Sequence, residues 1–215
     1  MKKLIRIAAI CAAAVLALTS CSSASGLKTG LWDEKYFVNN WSNIIVHAQG
    51  GYFSLTPDEM REITAGEDAE INDPSVAIDT SAVKSLYDMA VFSEDNISNV
   101  MLRYDNANLL EGAGNADAAG YFEIIKNRLS EEDSSKYTFL DPAERVIAGE
   151  TYFVGRVSIE KGLMLRDYYI RRYDNFFIII IATCMPGMET EIMRFITSFR
   201  PYHDKMADQY KDASN

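Results

Sequence analysis

The sequence predicts one domain of the α/β (α+β) class, in which short strands and three helices surround a single hydrophobic core. The chain has 215 residues, of which 48% are hydrophobic, 11% are aromatic and only five are prolines. That composition excludes a disordered or collagen-like chain. The length suits one domain with a substantial core, and the apolar periodicity alternates between strand-like and helical segments.

The first half of the chain alternates short apolar runs with turn-forming residues. Strands are predicted over four of these runs: 36–38, 44–48, 89–92 and 100–104. A helix begins at Thr56, because Pro57 suits the first helical position and Glu59 completes a capping box with the threonine. Residues 82–87 are predicted as a short helical segment in addition to the three main helices.

The second half predicts a helix, then three consecutive strands and a last helix. Apolar residues recur at helical spacing from Ala118 to Leu129. Strands are predicted over three adjoining runs: 151–159, 163–173 and 176–183. Asp174-Asn175 is predicted to form a two-residue turn between the last two, because both residues tolerate positive φ. The run 176–181 is entirely apolar, which is typical of a central strand covered on both faces. Apolar residues along one face of 188–199 predict the last helix.

The N-terminus has the features of a secretory signal. Three basic residues precede the uncharged stretch 7–18, which is too short to span about 30 Å of hydrocarbon as a permanent helix. Residues 18–21, Leu-Thr-Ser-Cys, resemble the lipobox of bacterial lipoproteins. The resemblance implies cleavage before Cys21, attachment of diacylglycerol to its thiol, and stable anchoring to the bacterial cell membrane outside the cytoplasm. An ordinary signal peptide with an incidental cysteine is the alternative.

This interpretation divides the chain into four parts: a signal peptide at 1–20, a lipidated flexible tether at 21–28, a single α/β domain at 29–203 and a polar tail at 204–215. Removal of the signal peptide takes away three positive charges, so the net charge changes from −10 to −13. With Cys21 lipidated, Cys184 is the free thiol that remains. Because Cys184 ends an apolar strand, we expect it to be buried and inert.

Several short motifs resemble the PsbP/Mog-like family over roughly residues 29–203. They are Gly30-x-Trp32, Phe37-x-Asn39, a short strand ending near Tyr52, the Thr-x-x-Glu helix start and the closing β-β-β-α unit. The resemblance implies an α/β/α sandwich, with a central, mostly antiparallel sheet and helices on both faces. It implies no transferable active site, since members share a scaffold and not a chemistry. Tyr52 departs from the pattern, which leads us to expect a tryptophan there.

Few residues are arranged for catalysis or metal binding. His47 and His203 have no second His or Cys at ligand spacing, and no Gly-x-Ser-x-Gly motif marks a nucleophile. The loop 112–114 lacks the lysine and the glycine spacing of nucleotide-binding loops. The net charge of −10 argues against nucleic-acid binding. We therefore expect no catalytic residue, no metal site, no cofactor and no nucleic-acid partner.

Positive charge is concentrated in the C-terminal third. Residues 144–172 carry a net charge of +2, whereas residues 29–80 carry −8. Four side chains there are predicted to share one sheet face by two-residue alternation: Arg156, Arg166, Tyr168 and Arg172. Since arginine forks suit carboxylates and phosphates, we expect this face to contact an acidic envelope protein or an anionic envelope polymer.

The charge on this face depends on the register of one hairpin. A three-residue loop at 160–162 would set Arg156 directly opposite Arg166, which is costly unless an anion lies between them. In a first alternative, a shift of one residue pairs Arg156 with Asp167. In a second, acidic side chains of a covering helix neutralise the arginine pair.

Taken together, these features favour a membrane-anchored, non-enzymatic envelope lipoprotein of the binding or accessory type. The alternative is a small extracytoplasmic enzyme, such as a hydrolase of unrecognised type. A pocket that gathers several carboxylates, or a base beside a serine, would favour the enzyme. A transporter's solute-binding protein is disfavoured, because such proteins usually need two lobes and a longer chain.

Overall fold

The structure is a computed structural model that describes six stretches of the chain: 27–33, 35–64, 69–71, 78–79, 81–94 and 96–202. The signal peptide 1–20, Cys21, His203 and the tail 204–215 lie outside the described residues, so what we predict of them stays a prediction. The described strands are β1 (Leu31–Asp33), β2 (Tyr36–Asn39), β3 (Ile44–His47), β4 (Tyr52–Ser54), β5 (Glu70–Ile71), β6 (Ser85–Ser93), β7 (Asn99–Asn106), β8 (Tyr137–Ile147), β9 (Glu150–Ile159), β10 (Met164–Tyr173), β11 (Phe176–Cys184) and β12 (Arg200–Pro201). The described α-helices are α1 (Pro57–Ile63), α2 (Ala118–Asp133) and α3 (Glu189–Ile196).

The central sheet has eight strands in the order β4-β6-β7-β11-β10-β9-β8, with the short β5 also paired to β6. The β5–β6 pair is parallel and all other pairs in this sheet are antiparallel. β11 lies in the middle, and almost all of its side chains are buried. The prediction of a central strand at the apolar run 176–181 is therefore confirmed.

The hydrophobic core consists of two clusters, one on each face of the central sheet, because side chains alternate along each strand. One face, which we call the α2 face, is covered by α1 and α2 through Met60, Tyr121 and Phe122. The other, which we call the N-terminal face, is covered by α3 and by a small sheet of order β1-β2-β3-β12, through Phe195 and Phe37. Helices thus cover both faces of a mostly antiparallel sheet, which confirms the predicted fold class.

A β-bulge in β6 supplies a polar centre beneath the small sheet. The pairing of β6 with β7 shifts register at Asp88, so Asp88 and its sequence neighbour Met89 both face the N-terminal side. The Asp88 carboxylate accepts hydrogen bonds from the backbone N–H of Gly30 (2.9 Å), from Nδ2 of Asn39 (2.7 Å) and from the hydroxyl of Tyr104 (2.9 Å). These four residues, which we call the Asp88 centre, connect the small sheet to the central sheet through hydrogen bonds.

The Asp88 centre also explains the short motifs near the start of the domain. A Cβ on Gly30 would lie 2.2 Å from the ring of Phe37, so no larger residue fits there without displacing the ring. Trp32 packs edge-on against Phe37, with ring centroids 5.6 Å apart. The spacing of the motifs therefore reflects how the small sheet docks, and not a reacting site.

The structure confirms three local predictions: the cap of α1, the turn at 174–175 and the apolar face of α3. The Thr56 side chain caps α1, and Glu59 returns the capping-box bond to the Thr56 backbone N–H at 2.8 Å. The predicted two-residue turn at 174–175 joins β10 to β11, with Asp174 at a φ of 52°. The buried residues of α3 include Phe195, on the apolar face that the periodicity predicts.

The structure differs from the prediction at β6 and β8, and the short strands β1, β5 and β12 also have no predicted counterpart. Residues 82–87 are not helical: they contain a turn and the start of β6, where Leu86 and Tyr87 alternate between the two core clusters. The edge strand β8 has no predicted counterpart, because Pro142 interrupts its pattern. The structure places Pro142 within an irregularity of the β8–β9 pairing, where a missing N–H is tolerated.

Candidate anion-binding cleft

The pairing of β9 with β10 is shifted by one residue from the register that a three-residue loop would give. Its loop has four residues, 160–163, and Ile159 pairs with Met164. Glu160 and Lys161 both take positive φ, at 50° and 57°. The chain therefore turns over a longer path than the predicted loop, and every cross-strand pair in this hairpin moves by one residue.

The observed register separates the two arginines that were expected to face each other. Arg156 lies opposite Asp167, and its Nε donates to that carboxylate at 3.1 Å. Opposite charges across a strand pair are favourable, whereas like charges are not. By alternation Arg156 lies on the N-terminal face and Arg166 on the α2 face. The prediction that they share a face is wrong, and the first alternative register is confirmed.

Arg172 lies on the α2 face, where it contacts the loop that precedes α2. Its guanidinium donates to the backbone oxygens of Gly114 (2.8 Å), Ala116 and Asp174 (3.2 Å). It also lies 5.5 Å from the centre of the Phe177 ring. These contacts tie the segment before α2 to the sheet. Arg172 therefore has a structural role and is not among the residues that line the cleft described next.

Arg166 and Tyr168, the other two predicted contact residues, line a cleft between α2 and the central sheet. Its volume is about 710 Å³, within the range of about 300–1,000 Å³ typical of small-molecule sites. Besides apolar residues and tyrosines, the ionisable residues that line it are Lys84, Arg103, Arg128, Lys136 and Arg166, with Glu111 and Glu132. Their net charge is +3, in a chain whose net charge is −10.

Arg166 is the central cation of this cleft. It is half-buried, and its Nε donates to Oγ1 of Thr183 at 3.0 Å. Burial by itself lowers the pKa of Arg166, but the neighbouring Tyr168 hydroxyl raises it, and the net pKa is above the ordinary value. The guanidinium is therefore charged. It forms no ion pair with any carboxylate of the described residues.

The other cations of the cleft are neutralised to different extents. Arg103 is paired with the buried Asp105 at 2.8 Å and donates to the Tyr87 hydroxyl at 3.3 Å. Within the part of the chain that the structure describes, Arg128 and Lys136 make no ion pair. Arg103 therefore shapes the wall of the cleft, while Arg128 and Lys136 add positive charge beside Arg166.

Most of the cleft could not be recognised from the sequence. The cations that sequence analysis misses come from separate segments: Lys84, Arg103, Arg128 and Lys136. No short-range pattern joins them, because folding brings them together from four elements or loops. One signal was present: Arg103 interrupts an otherwise apolar strand, and a charge in such a strand indicates a polar site inside the fold.

The remaining candidate residues are placed as follows. Cys184 is a buried thiol at the end of β11, as predicted. His47 is exposed and packs against the ring of Tyr36. The described residues contain no group of three or more His, Cys, Asp or Glu side chains that could hold a metal ion. No helix in the described ranges has the length and apolar character needed to cross a membrane.

Comparison with known proteins finds similarity among solved structures. No protein-family model matches the chain, and no curated protein matches it in sequence. Among solved structures, the chain is similar to the solution structure of cyanobacterial PsbP (CyanoP) from Synechocystis sp. PCC 6803, with a TM-score of 0.48 and 9% sequence identity over 86% of this chain and 99% of that one.

Proposed function

We propose that this protein is a non-enzymatic binding protein of the cell envelope, anchored through a lipidated Cys21, and that its cleft binds an anionic ligand. The observation that carries the proposal is Arg166, a half-buried cation with no described carboxylate to balance it. Burying a charge without a partner is costly. A ligand carboxylate or phosphate supplies the partner, since the guanidinium fork binds both groups.

The charges around Arg166 support an anion and not a cation as the ligand. The ionisable residues of the cleft sum to +3 although the whole chain carries −10. A recessed site of one sign, with low-dielectric walls, focuses the electric field and raises the local concentration of oppositely charged ligands. The acidic remainder of the surface repels the same ligands, which directs them to this cleft.

The membrane anchor is supported by the lipobox-like residues 18–21 and by the charged and apolar segments that precede them. Cys21→Ala should abolish acylation and move the protein from the membrane fraction to the soluble fraction. Incorporation of a labelled fatty acid and fractionation of cells measure both effects. Ser22→Ala is the matched control, since it changes the next residue and keeps the thiol. Fatty-acid labelling of Cys21→Ala would contradict the anchor.

Anion binding is tested by isothermal titration calorimetry of the purified full chain with inorganic pyrophosphate and with phenyl phosphate at low salt. Wild type should bind at least one of them, and Arg166→Gln should bind at least about ten-fold more weakly, since a charge-assisted contact is lost. Arg156→Gln removes the same charge from the opposite face and should leave affinity unchanged. Equal weakening by both variants, or no binding to wild type, would refute the proposed function.

A further inference from the structure

The apolar surface around Arg166 indicates the class of ligand. We infer that the cleft takes an amphipathic anion, meaning a phosphate or carboxylate group that carries an apolar body. This inference rests on the proposed function and makes it more specific, because it excludes a bare inorganic anion as the main ligand.

The floor of the cleft surrounds one charge with apolar side chains. Along β10, Met164 and Tyr168 lie two residues to either side of Arg166 and so share its face. The neighbouring strands place Ile159 opposite Met164 and Ile181 opposite Tyr168. All four of these neighbours line the cleft. An anionic group bound at Arg166 therefore has an apolar floor on each side along the strand.

The walls continue this apolar surface away from the charge. Ile125 and Leu129 come from α2, and Leu109, which is 36% exposed, comes from the loop after β7. Removing such surface from water is favourable in proportion to its area. Ile125 is already buried, but Leu109 and the half-buried Leu129 keep apolar surface exposed to water. A bare phosphate would satisfy Arg166 and leave that surface wet, whereas a ligand with an apolar body would cover it.

The volume agrees with a ligand of this kind. At about 710 Å³ the cleft is far larger than one tetrahedral anion, and it falls in the size range of sites that bury organic ligands. Arg128 and Lys136 line the cleft together with the apolar residues. The charged group is therefore held at one position by Arg166 and attracted by its neighbours, while the apolar body determines how tightly the ligand binds.

Two sources supply this chemistry: a soluble organic phosphate or carboxylate, and the headgroup of an anionic lipid. The first described residue, Leu27, is buried in the core cluster of the N-terminal face, whereas the cleft opens on the α2 face. The chain therefore enters the domain on the side opposite the cleft. The experiment below separates the two sources with a soluble probe and with vesicles.

The experiment compares inorganic phosphate with phenyl phosphate on the purified full chain by isothermal titration calorimetry. Phenyl phosphate should bind at least about ten-fold more tightly, because a buried phenyl group adds at least that factor in affinity. Leu129→Gln should remove most of this advantage without weakening inorganic phosphate. Leu140→Gln makes the same change at an exposed position on β8, outside the cleft lining, and should alter neither affinity.

The outcomes separate this inference from the proposed function. If inorganic phosphate and phenyl phosphate bind equally and both depend on Arg166, the cleft binds anions but the inference is wrong. If neither binds, both proposals fail. Vesicles of phosphatidylcholine with one-fifth phosphatidic acid form the second arm. Arg166-dependent binding to these vesicles by the Cys21→Ala chain, in addition to phenyl phosphate binding, supports the inference and assigns the ligand to a lipid headgroup, whereas phenyl phosphate binding without vesicle binding assigns it to a soluble organic anion.

Discussion

Two charged side chains on opposite faces of the central sheet, Asp88 and Arg166, are balanced to different extents. On the N-terminal face, Asp88 accepts hydrogen bonds from Gly30, Asn39 and Tyr104. On the α2 face, Arg166 has a threonine and a tyrosine beside it and no described carboxylate. A buried charge surrounded by partners stabilises the docking of two sheets. A partly buried charge without a counter-ion costs stability and is therefore the better candidate for a binding site.

The largest expected effect is a contrast in stability between these two charges. Asp88→Ala should lower the free energy of unfolding by at least about 3 kcal/mol, since three donors lose their acceptor at about 1–3 kcal/mol each. Arg166→Met should leave it unchanged or raise it, because an apolar side chain replaces a partly buried charge that has no described counter-ion. Urea unfolding followed by circular dichroism measures both variants.

The control for the first contrast is Asp167→Asn, which breaks the ion pair with the 44% exposed Arg156 and should cost less than about 1 kcal/mol. If Arg166→Met destabilised the protein as strongly as Asp88→Ala, Arg166 would be a structural residue. That result would contradict the contrast between Asp88 and Arg166.

The packing around two glycines gives a second test of the difference between the two faces. An alanine Cβ at Gly30 would lie 2.2 Å from the ring of Phe37 on the N-terminal face, and one at Gly155 would lie 2.2 Å from the ring of Phe122 on the α2 face. Each Gly→Ala change should cost about 1–3 kcal/mol, as over-packing of a core does. Because Phe122 belongs to α2, Gly155→Ala alone should also weaken phenyl phosphate binding in calorimetry.

Gly50→Ala serves as the reference, because its Cβ would have no heavy atom within 4 Å; we expect a change within about 0.5 kcal/mol. Loss of phenyl phosphate binding in Gly30→Ala would show that the cleft depends on the small sheet as well. That result would contradict the independence of the two faces.

The smallest expected effect is a dependence of stability on alkaline pH. Burial raises the pKa of Tyr104, and the adjacent Asp88 raises it further. The folded state therefore keeps Tyr104 protonated above pH 10, where the same tyrosine ionises in the unfolded chain. The contribution of Tyr104 to the free energy of unfolding is thus complete below pH 10 and is lost as the pH rises. The stability difference between wild type and Tyr104→Phe should shrink by about 1.4 kcal/mol by pH 11.

Urea unfolding at pH 8 and pH 11 measures this loss, and a pH-independent difference would contradict it. Tyr121→Phe repeats the measurement on the α2 face. The Tyr121 hydroxyl donates to Asp105 at 2.6 Å, and burial and that carboxylate raise its pKa too. Both variants should behave alike, because here the two faces use the same arrangement of a tyrosine and a buried carboxylate.

Features that depend on neighbouring residues could be predicted from the sequence, and features that depend on distant pairing could not. The cap of α1 and the turn at 174–175 follow from local chemistry and are confirmed. The β9–β10 register depends on positive φ at Glu160 and Lys161, which their residue types do not favour. Because of this one-residue shift, Arg156 lies on the face opposite to the predicted one, whereas Arg166 and Tyr168 lie on the predicted face.

If the chain is anchored through Cys21 as proposed, the hydrogen bond from Gly30 to Asp88 has a mechanical consequence. A pull on the segment before residue 27 would peel an ordinary terminal strand away one hydrogen bond at a time. Here the pull reaches Gly30, whose N–H is bonded to a carboxylate in the central sheet, after only a few residues. The load passes directly into the largest sheet of the molecule, so the domain resists traction as one body.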